Sequence, residues 1–173
     1  MITLLVEKNN PLSQNIYDSY INSIQFHQLT CSCGHSGCLT IHGYYMRKVK
    51  SGTGSFWLVV CRVKCSDCGR THAILPSSLV PYSQISLSCC CQIIASLEDG
   101  SNPCSVCDDN PDIDENNVGS VIRRFKKHWK QRLLSEQIQL APIRSLVISC
   151  FTHFSAQFLQ IRRAINLLFS KTT

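Results

Sequence analysis

The sequence predicts an α+β fold, with a small β region tied by metal-binding turns in the first half and a mainly α-helical second half. Three observations carry that expectation. Two cysteine clusters, Cys31 to Cys38 and Cys65 to Cys68, flank two apolar and basic runs that meet at Ser51-Gly52-Thr53-Gly54, the pattern of a β-hairpin. From Gln84 onward apolar residues recur at the three-and-four spacing of helices. Pro76 and Pro81 stand between the two regions, and proline resists regular structure.

The cysteines come first because they organise the rest. Tetrahedral zinc takes four thiolate or imidazole ligands, and a Cys-x-x-Cys turn followed by glycine supplies two of them. Cys65-Ser-Asp-Cys68-Gly69 has that form, with Gly69 free to turn the chain without a Cβ in the way. The first cluster offers Cys31, Cys33 and Cys38 for two places. Cys33 and Cys38 are the first choice beside Cys65 and Cys68, with Cys31 as the substitute, because one residue separates Cys31 from Cys33 instead of two. Two such turns joined by one Zn2+ make a small zinc ribbon, expected over 29–82 together with its Pro-containing linker. Its strands are expected at 39–50 and 56–64. His42 and His72 read as packing or phosphate-contacting residues, since four cysteines already complete a site.

Length and composition bound the class. A chain of 173 residues suits one domain or two small ones, and 44% hydrophobic with 16% charged residues excludes wholesale disorder. The formal charge of +6 is clustered. Arg47, Lys48, Lys50, Arg62, Lys64 and Arg70 stand against Asp67 alone, and the run from Arg123 to Arg132 contains no acid. Clustered cations suit a polyanion, of which nucleic acid is the commonest. Twelve cysteines would fit a secreted disulfide scaffold, but the apolar start is too short for a signal peptide and Cys89, Cys90 and Cys91 are consecutive. No apolar run approaches the ~20 residues that span a bilayer. The expectation is a reduced, cytoplasmic protein without a membrane segment.

The elements follow in order. Residues 1–28 read as a strand at 2–6 and a helix capped by Ser13, with Ile16, Tyr20 and Ile24 on one face. On the hairpin, Tyr44, Tyr45 and Trp57 accompany Arg47, Lys48 and Lys50; the rings either stack on nucleic acid or fill the core beside the metal. Residues 83–136 read as a helix-turn-helix region. A helix over 84–97 stops at Gly100, a short one capped by Ser101 runs to Asp109, and Asp114 opens a long one to Leu134. Val118, Val121, Ile122, Phe125, Trp129 and Leu133 form the buried stripe of the third helix. Its outer face carries Asn116, Asn117, Ser120, Arg123, Arg124 and Lys127 as candidate contacts to DNA, since arginine pairs with guanine and asparagine with adenine. Cys104-x-x-Cys107 and Cys89 to Cys91 fall at helical spacing and read as core. The acids from Asp108 to Glu115 read as helix capping. Residues 137–173 form an apolar helical segment opened by Pro142, which either closes on the N-terminal strand or makes a dimer interface.

The string C-S-D-C-G-R-T-H, with R-V-K before it, resembles the zinc ribbon at the front of bacterial insertion-sequence transposases. H-G-Y-Y-M-R-K, L-P-S-S-L-V-P-Y, R-R-F-K-K-H-W and the terminal Q-F-L-Q-I-R-R-A-I-N-L-L-F-S-K-T-T resemble a family of short transposase-like proteins described only as a domain of unknown function. The resemblance covers nearly the whole chain and implies DNA recognition linked to mobile elements, without the nuclease. A transposase nuclease holds two metal ions with three carboxylates on a large core, whereas Glu136 is the last acid of this chain. The expected function is a zinc-dependent, non-enzymatic DNA-binding protein, a regulator or targeting module. Its partners would be double-stranded DNA and a homodimer mate or a transposase, with no small-molecule substrate. The alternatives are an adaptor that recruits a transposase or polymerase, and an RNA-binding ribbon.

Overall fold

The computed structural model describes residues 1–6, 11–160 and 168–171. The chain is α+β, with most strands in the first half and helices behind them. Its residues group into two compact units, one of 1–47, 57–77 and 164–173, the other of 48–56 and 78–163. No helix among the described residues is long and apolar enough to cross a membrane.

The sheet runs in the order β2-β3-β4-β1-β5. β1 (Ile2–Leu5) is buried along its whole length, as a continuous apolar run flanked by parallel partners must be. It pairs in parallel with β4 (Thr71–Pro76), Ile2 opposite Ile74, and with β5 (Leu168–Lys171), Ile2 opposite Leu168. Leu168–Lys171, expected within a helical segment, is thus a strand, and it closes on the N-terminal one because β1 offers it a free edge; the closure itself is the first of the two expected fates. Residues 161–167 of the same apolar segment lie outside the described residues.

β2 (Leu39–Ser51) and β3 (Gly54–Cys65) form the expected hairpin, turning at Gly52-Thr53. β4 was not expected, because Pro76 reads as linker; it occupies the last position of the strand, where proline is tolerated. β3 and β4 pair antiparallel at Arg62–Ala73, Val63–His72 and Lys64–Thr71. The ladder stops there because a side chain enters it. The Tyr17 hydroxyl accepts from the Cys61 N–H (2.8 Å) and donates to the Ile74 carbonyl (2.9 Å). Gln14 continues the substitution, accepting from the Val59 N–H at 2.7 Å and donating to its carbonyl at 3.3 Å. Both residues sit on α1 (Gln14–Ser23), capped by Ser13 as expected. The helix buries Tyr17 and Ile21, not Ile16 and Tyr20, and Ile24 already lies past its end in extended backbone. The demand for a hydroxyl inside the ladder sets the helix face.

In the second unit, Ser86 caps α2 (Leu87–Asp99), whose thiols Cys89, Cys90 and Cys91 are all buried, and Gly100 ends it at φ 82°, the left-handed conformation that glycine supplies without strain. The short helical turn over 103–109 is capped by Asn102 and not by Ser101, the Asn102 side chain accepting from the Cys104 N–H at 3.0 Å. α3 (Val106–Asp109) completes that turn. Asp114 caps the next helix as expected, but the long helix is interrupted. α4 (Glu115–Arg124) passes through a π-turn at Phe125–Trp129 into α5 (Lys130–Ser135). Side chains four apart drift by about 40° around an α-helix, and the wider turn takes up that drift so that Phe125, Trp129 and Leu133 all stay buried. Trp129 packs edge-on against Phe154 and Phe158. α6 (Ile143–Phe154) follows Pro142 and buries Leu146, Val147 and Cys150.

Candidate metal centre and nucleic-acid face

Two turns of the same design bring four thiols together. In the second, the Cys65 N–H bonds the Arg70 carbonyl (2.9 Å) and the Gly69 N–H bonds the Cys65 carbonyl (3.1 Å), with Gly69 at φ 68°. In the first, the Cys31 N–H bonds the His35 carbonyl (2.8 Å) and the Gly34 N–H bonds the Cys31 carbonyl (2.9 Å), with Gly34 at φ 95°. The first turn is the second with one residue removed. In both, a left-handed glycine directly follows the second cysteine. The sulfurs of Cys31, Cys33, Cys65 and Cys68 all lie within 4.8 Å of one another.

The spacing fits a metal. Cys31 and Cys68 sulfurs are 3.6 Å apart and those of Cys33 and Cys65 3.8 Å. A tetrahedron with metal–sulfur bonds of about 2.3 Å has edges of about 3.8 Å. The four-thiol cluster could therefore hold a metal ion. This reverses the preferred ligand pair of the first turn, since Cys31 joins Cys33 and Cys38 stands aside. Cys38 has no glycine after it and instead opens the way into β2; its thiol donates to the His35 carbonyl at 3.2 Å and approaches Cys65 and Asp67 in a separate group. Its backbone carbonyl takes the Ser66 N–H at 2.8 Å, so Cys38 fastens the two turns together. The signal was present in the sequence as the shared Cys-Gly step.

The electrostatics favour a cation. The Cys68 N–H, 3.4 Å from the Cys65 sulfur, leads the interactions that draw the Cys65 thiol down to about 6. At Cys68 the Arg70 amide pulls the other way, but burial and the neighbouring thiols win and push it up to about 12. Cys65 is thus stabilised as a thiolate in advance, while Cys68 holds its proton until a cation replaces it.

His72 packs inside, one of the two roles expected of it. It is buried, with Nε2 3.3 Å from the Cys31 sulfur and Nδ1 3.2 Å from the Met1 amino group. Burial holds its imidazole down at about 4, so the ring is neutral and carries one N–H. The amino group donates to Nδ1, which leaves the proton on Nε2 to be donated to sulfur. A hydrogen-bonded partner of this kind orients and tunes a thiolate ligand. His42 is exposed on β2. His35 contacts Cys33 (3.5 Å) and Asp67 (3.5 Å) at the surface.

The predicted nucleic-acid residues divide into three sets. On the hairpin, Lys48 is paired with Asp112 at 2.9 Å and Lys50 donates to the Asn117 side chain at 2.7 Å. Arg47 lies beside Tyr45, with burial lowering its guanidinium. Tyr44 and Trp57 are exposed, while Tyr45 is half-buried with Arg62 over its ring. On α4, Asn116, Arg123 and Lys127 face solvent. Asn117, Ser120 and Arg124 instead line a cavity against residues 82–85, a loop whose last two residues read as the start of a helix that begins only at Leu87. Further along, Lys130 is held by Glu98 and Arg132 lies over Trp129. Among the described residues, Cys104 and Cys107 do not join Cys89 to Cys91 in a ligand group.

Neither a curated protein nor a solved structure matches the chain significantly. Residues 30–125, more than half of the chain and the stretch that carries all four clustered thiols, match a family described as a domain of unknown function, DUF6431, and the chain belongs to that family.

Proposed function

We propose that the chain is a zinc-dependent DNA-binding protein. One zinc ion on Cys31, Cys33, Cys65 and Cys68 ties the two turns into a ribbon, and α4 presents cations to double-stranded DNA. A set of four thiolates suits zinc, which takes them tetrahedrally and needs no redox partner. The observation that carries the DNA reading is the solvent side of α4. Val118 and Val121 anchor the helix from below while Asn116, Arg123 and Lys127 are exposed above. Among the described residues, Arg123, Lys126 and Lys127 have no carboxylate partner, whereas Lys48 and Lys130 do. The succession of α2, the turn over 103–109 and α4, with α2 packed on both, supports a helix-turn-helix in which α4 enters the major groove.

The derivation from a transposase, as a regulator or targeting module, rests on the sequence resemblance. A second reading has an observation of its own. Ile41, Tyr44, Met46, Trp57 and Val59 are exposed large apolar side chains on the β2–β3 hairpin, which suits a protein adaptor.

The test is binding of the zinc-loaded protein to a random duplex pool across a salt series, with recovery and sequencing of bound DNA. A recurrent motif and a steep fall of affinity with salt are expected. Replacing Arg123 and Lys127 together by alanine reduces the salt slope by about 2 if both meet phosphates. Binding no stronger than that of a neutral control protein at low salt overturns the DNA reading and leaves the adaptor. Single-stranded RNA as competitor separates the RNA alternative.

A further inference from the structure

One flank of α4, half-buried between its core face and its solvent face, forms a site that the duplex-reading residues do not use. Asn117, Ser120 and Arg124 recur at the spacing of one helix face and, with Tyr82, Ser83 and Gln84, line a cavity of about 180 Å³. The loop is fastened from outside, the Lys50 N–H bonding the Gln84 carbonyl at 2.8 Å and the Ser86 N–H bonding the Lys50 carbonyl at 2.9 Å. The Lys50 ammonium occupies the Asn117 carbonyl oxygen at 2.7 Å, which leaves the Asn117 amide group with its N–H donors. Arg124 has no ion-pair partner among the described residues. The lining contains the Arg124 guanidinium, the Gln84 and Asn117 amides and hydroxyl-bearing side chains beside the apolar Ile85 and Val121, and it has no carboxylate. Such a set takes an anion, and guanidinium with adjacent donors takes a phosphate.

The rim adds a second requirement. Tyr82 is exposed over about half its surface (53%) although it is bulky, and its backbone is held at φ 60°. A tyrosine in the left-handed region is strained, and strain of this kind collects at binding sites. An exposed ring beside a phosphate-sized, donor-lined cavity is a stacking platform for a base. The cavity is well below the several hundred Å³ that enclose a larger ligand.

We propose that this cavity binds the phosphate of a single unpaired nucleotide in a DNA strand, with the adjoining base stacked on Tyr82. The proposal rests on the DNA-binding reading and adds that α4 engages both a duplex, through Asn116, Arg123 and Lys127, and an extruded or unpaired nucleotide, through the adjoining flank of the helix.

The test compares two labelled duplexes, identical except for one unpaired thymidine, with the zinc-loaded protein, Tyr82→Ala and Arg124→Gln, each verified as folded by its melting transition. The unaltered protein is expected to prefer the bulged duplex by roughly tenfold or more, the scale of one base–aromatic stack. Tyr82→Ala abolishes that ratio while leaving the fully paired affinity within about twofold, and Arg124→Gln reduces the ratio. Equal binding of both duplexes by the unaltered protein, or a preference that survives both substitutions, overturns the nucleotide site and leaves duplex binding intact. Failure to bind either duplex overturns the DNA reading, and this proposal with it.

Discussion

At the scale of single residues, Tyr17 shows how one side chain decides a local topology. Its hydroxyl stands where a β3–β4 ladder bond would otherwise form, linking the Cys61 N–H to the Ile74 carbonyl in a buried setting. Tyr17→Phe keeps the ring but leaves a donor and an acceptor buried and unpaired, so we expect a loss of about 2 kcal/mol in denaturant unfolding of the metal-loaded protein. The same burial pushes the phenol above its ordinary value. Because the folded state then holds the Tyr17 proton more firmly than the unfolded chain, the stability contributed by this group is complete below about pH 10 and falls as pH rises beyond it. Burial also raises Cys61, Cys90, Cys91 and Cys150, so Tyr17→Phe should make the alkaline slope shallower above about pH 10 without abolishing it, and an unchanged slope would assign it to the thiols. His72 acts on the metal site in a comparable way, through one N–H to Cys31. His72→Ala should weaken zinc binding by about 10- to 100-fold in competition with a chromophoric chelator, and an unchanged affinity would make the contact mere packing. Neither role was legible in the sequence, since both depend on strands brought together from distant segments. The ligand pair Cys31 and Cys33 was legible in principle, because Gly34 follows Cys33 as Gly69 follows Cys68.

At the scale of elements, the helix starts follow from local chemistry. Asp114 illustrates it, its carboxylate accepting the Asn117 N–H at 2.7 Å. Asp114→Ala should cost about 1 kcal/mol, and Asp114→Asn much less, in thermal or denaturant unfolding; equal effects would deny the cap. Ser13 and Asp114 cap where a polar residue precedes an apolar periodic run, whereas Ser86 caps a helix that reads as starting at 84. The hairpin was legible for the same reason, through Gly52 and the alternation on either side. Three elements were not. β5 (Leu168–Lys171) lies in a segment that reads as helical and becomes a strand by pairing with β1. β4 ends on Pro76, and the residues read as linker are held by pairing with β1 from the far N-terminus. The π-turn at Phe125–Trp129 is imposed by the burial of Trp129 against Phe154 and Phe158. Periodicity marks which residues are apolar, whereas packing decides how the backbone bends to keep them inside.

At the scale of the molecule, the metal and the helical core stabilise different parts of the chain. The four thiols join turns more than thirty residues apart in sequence, as the Cys31–Cys68 and Cys33–Cys65 approaches show, and all of them belong to the unit that contains the sheet residues 57–76. The other unit has its own buried centre in Trp129, Leu146, Val147 and Cys150. A structural metal contributes its binding free energy to whatever it closes, about 10 kcal/mol or more for isolated zinc modules. Its removal should therefore act unevenly. Hydrogen exchange on the protein with and without a chelator tests this directly. Amides of residues 31–38 and 65–69 should lose protection, and the loss should spread into the short ladder of Arg62–Lys64 with Thr71–Ala73, which leaves the second turn without a break. Amides of α2 and α6 should keep theirs. Uniform loss across both units would mean that the metal supports a single cooperative structure. No loss in the two turns would mean that the thiols pack without a metal, and the zinc reading would fall.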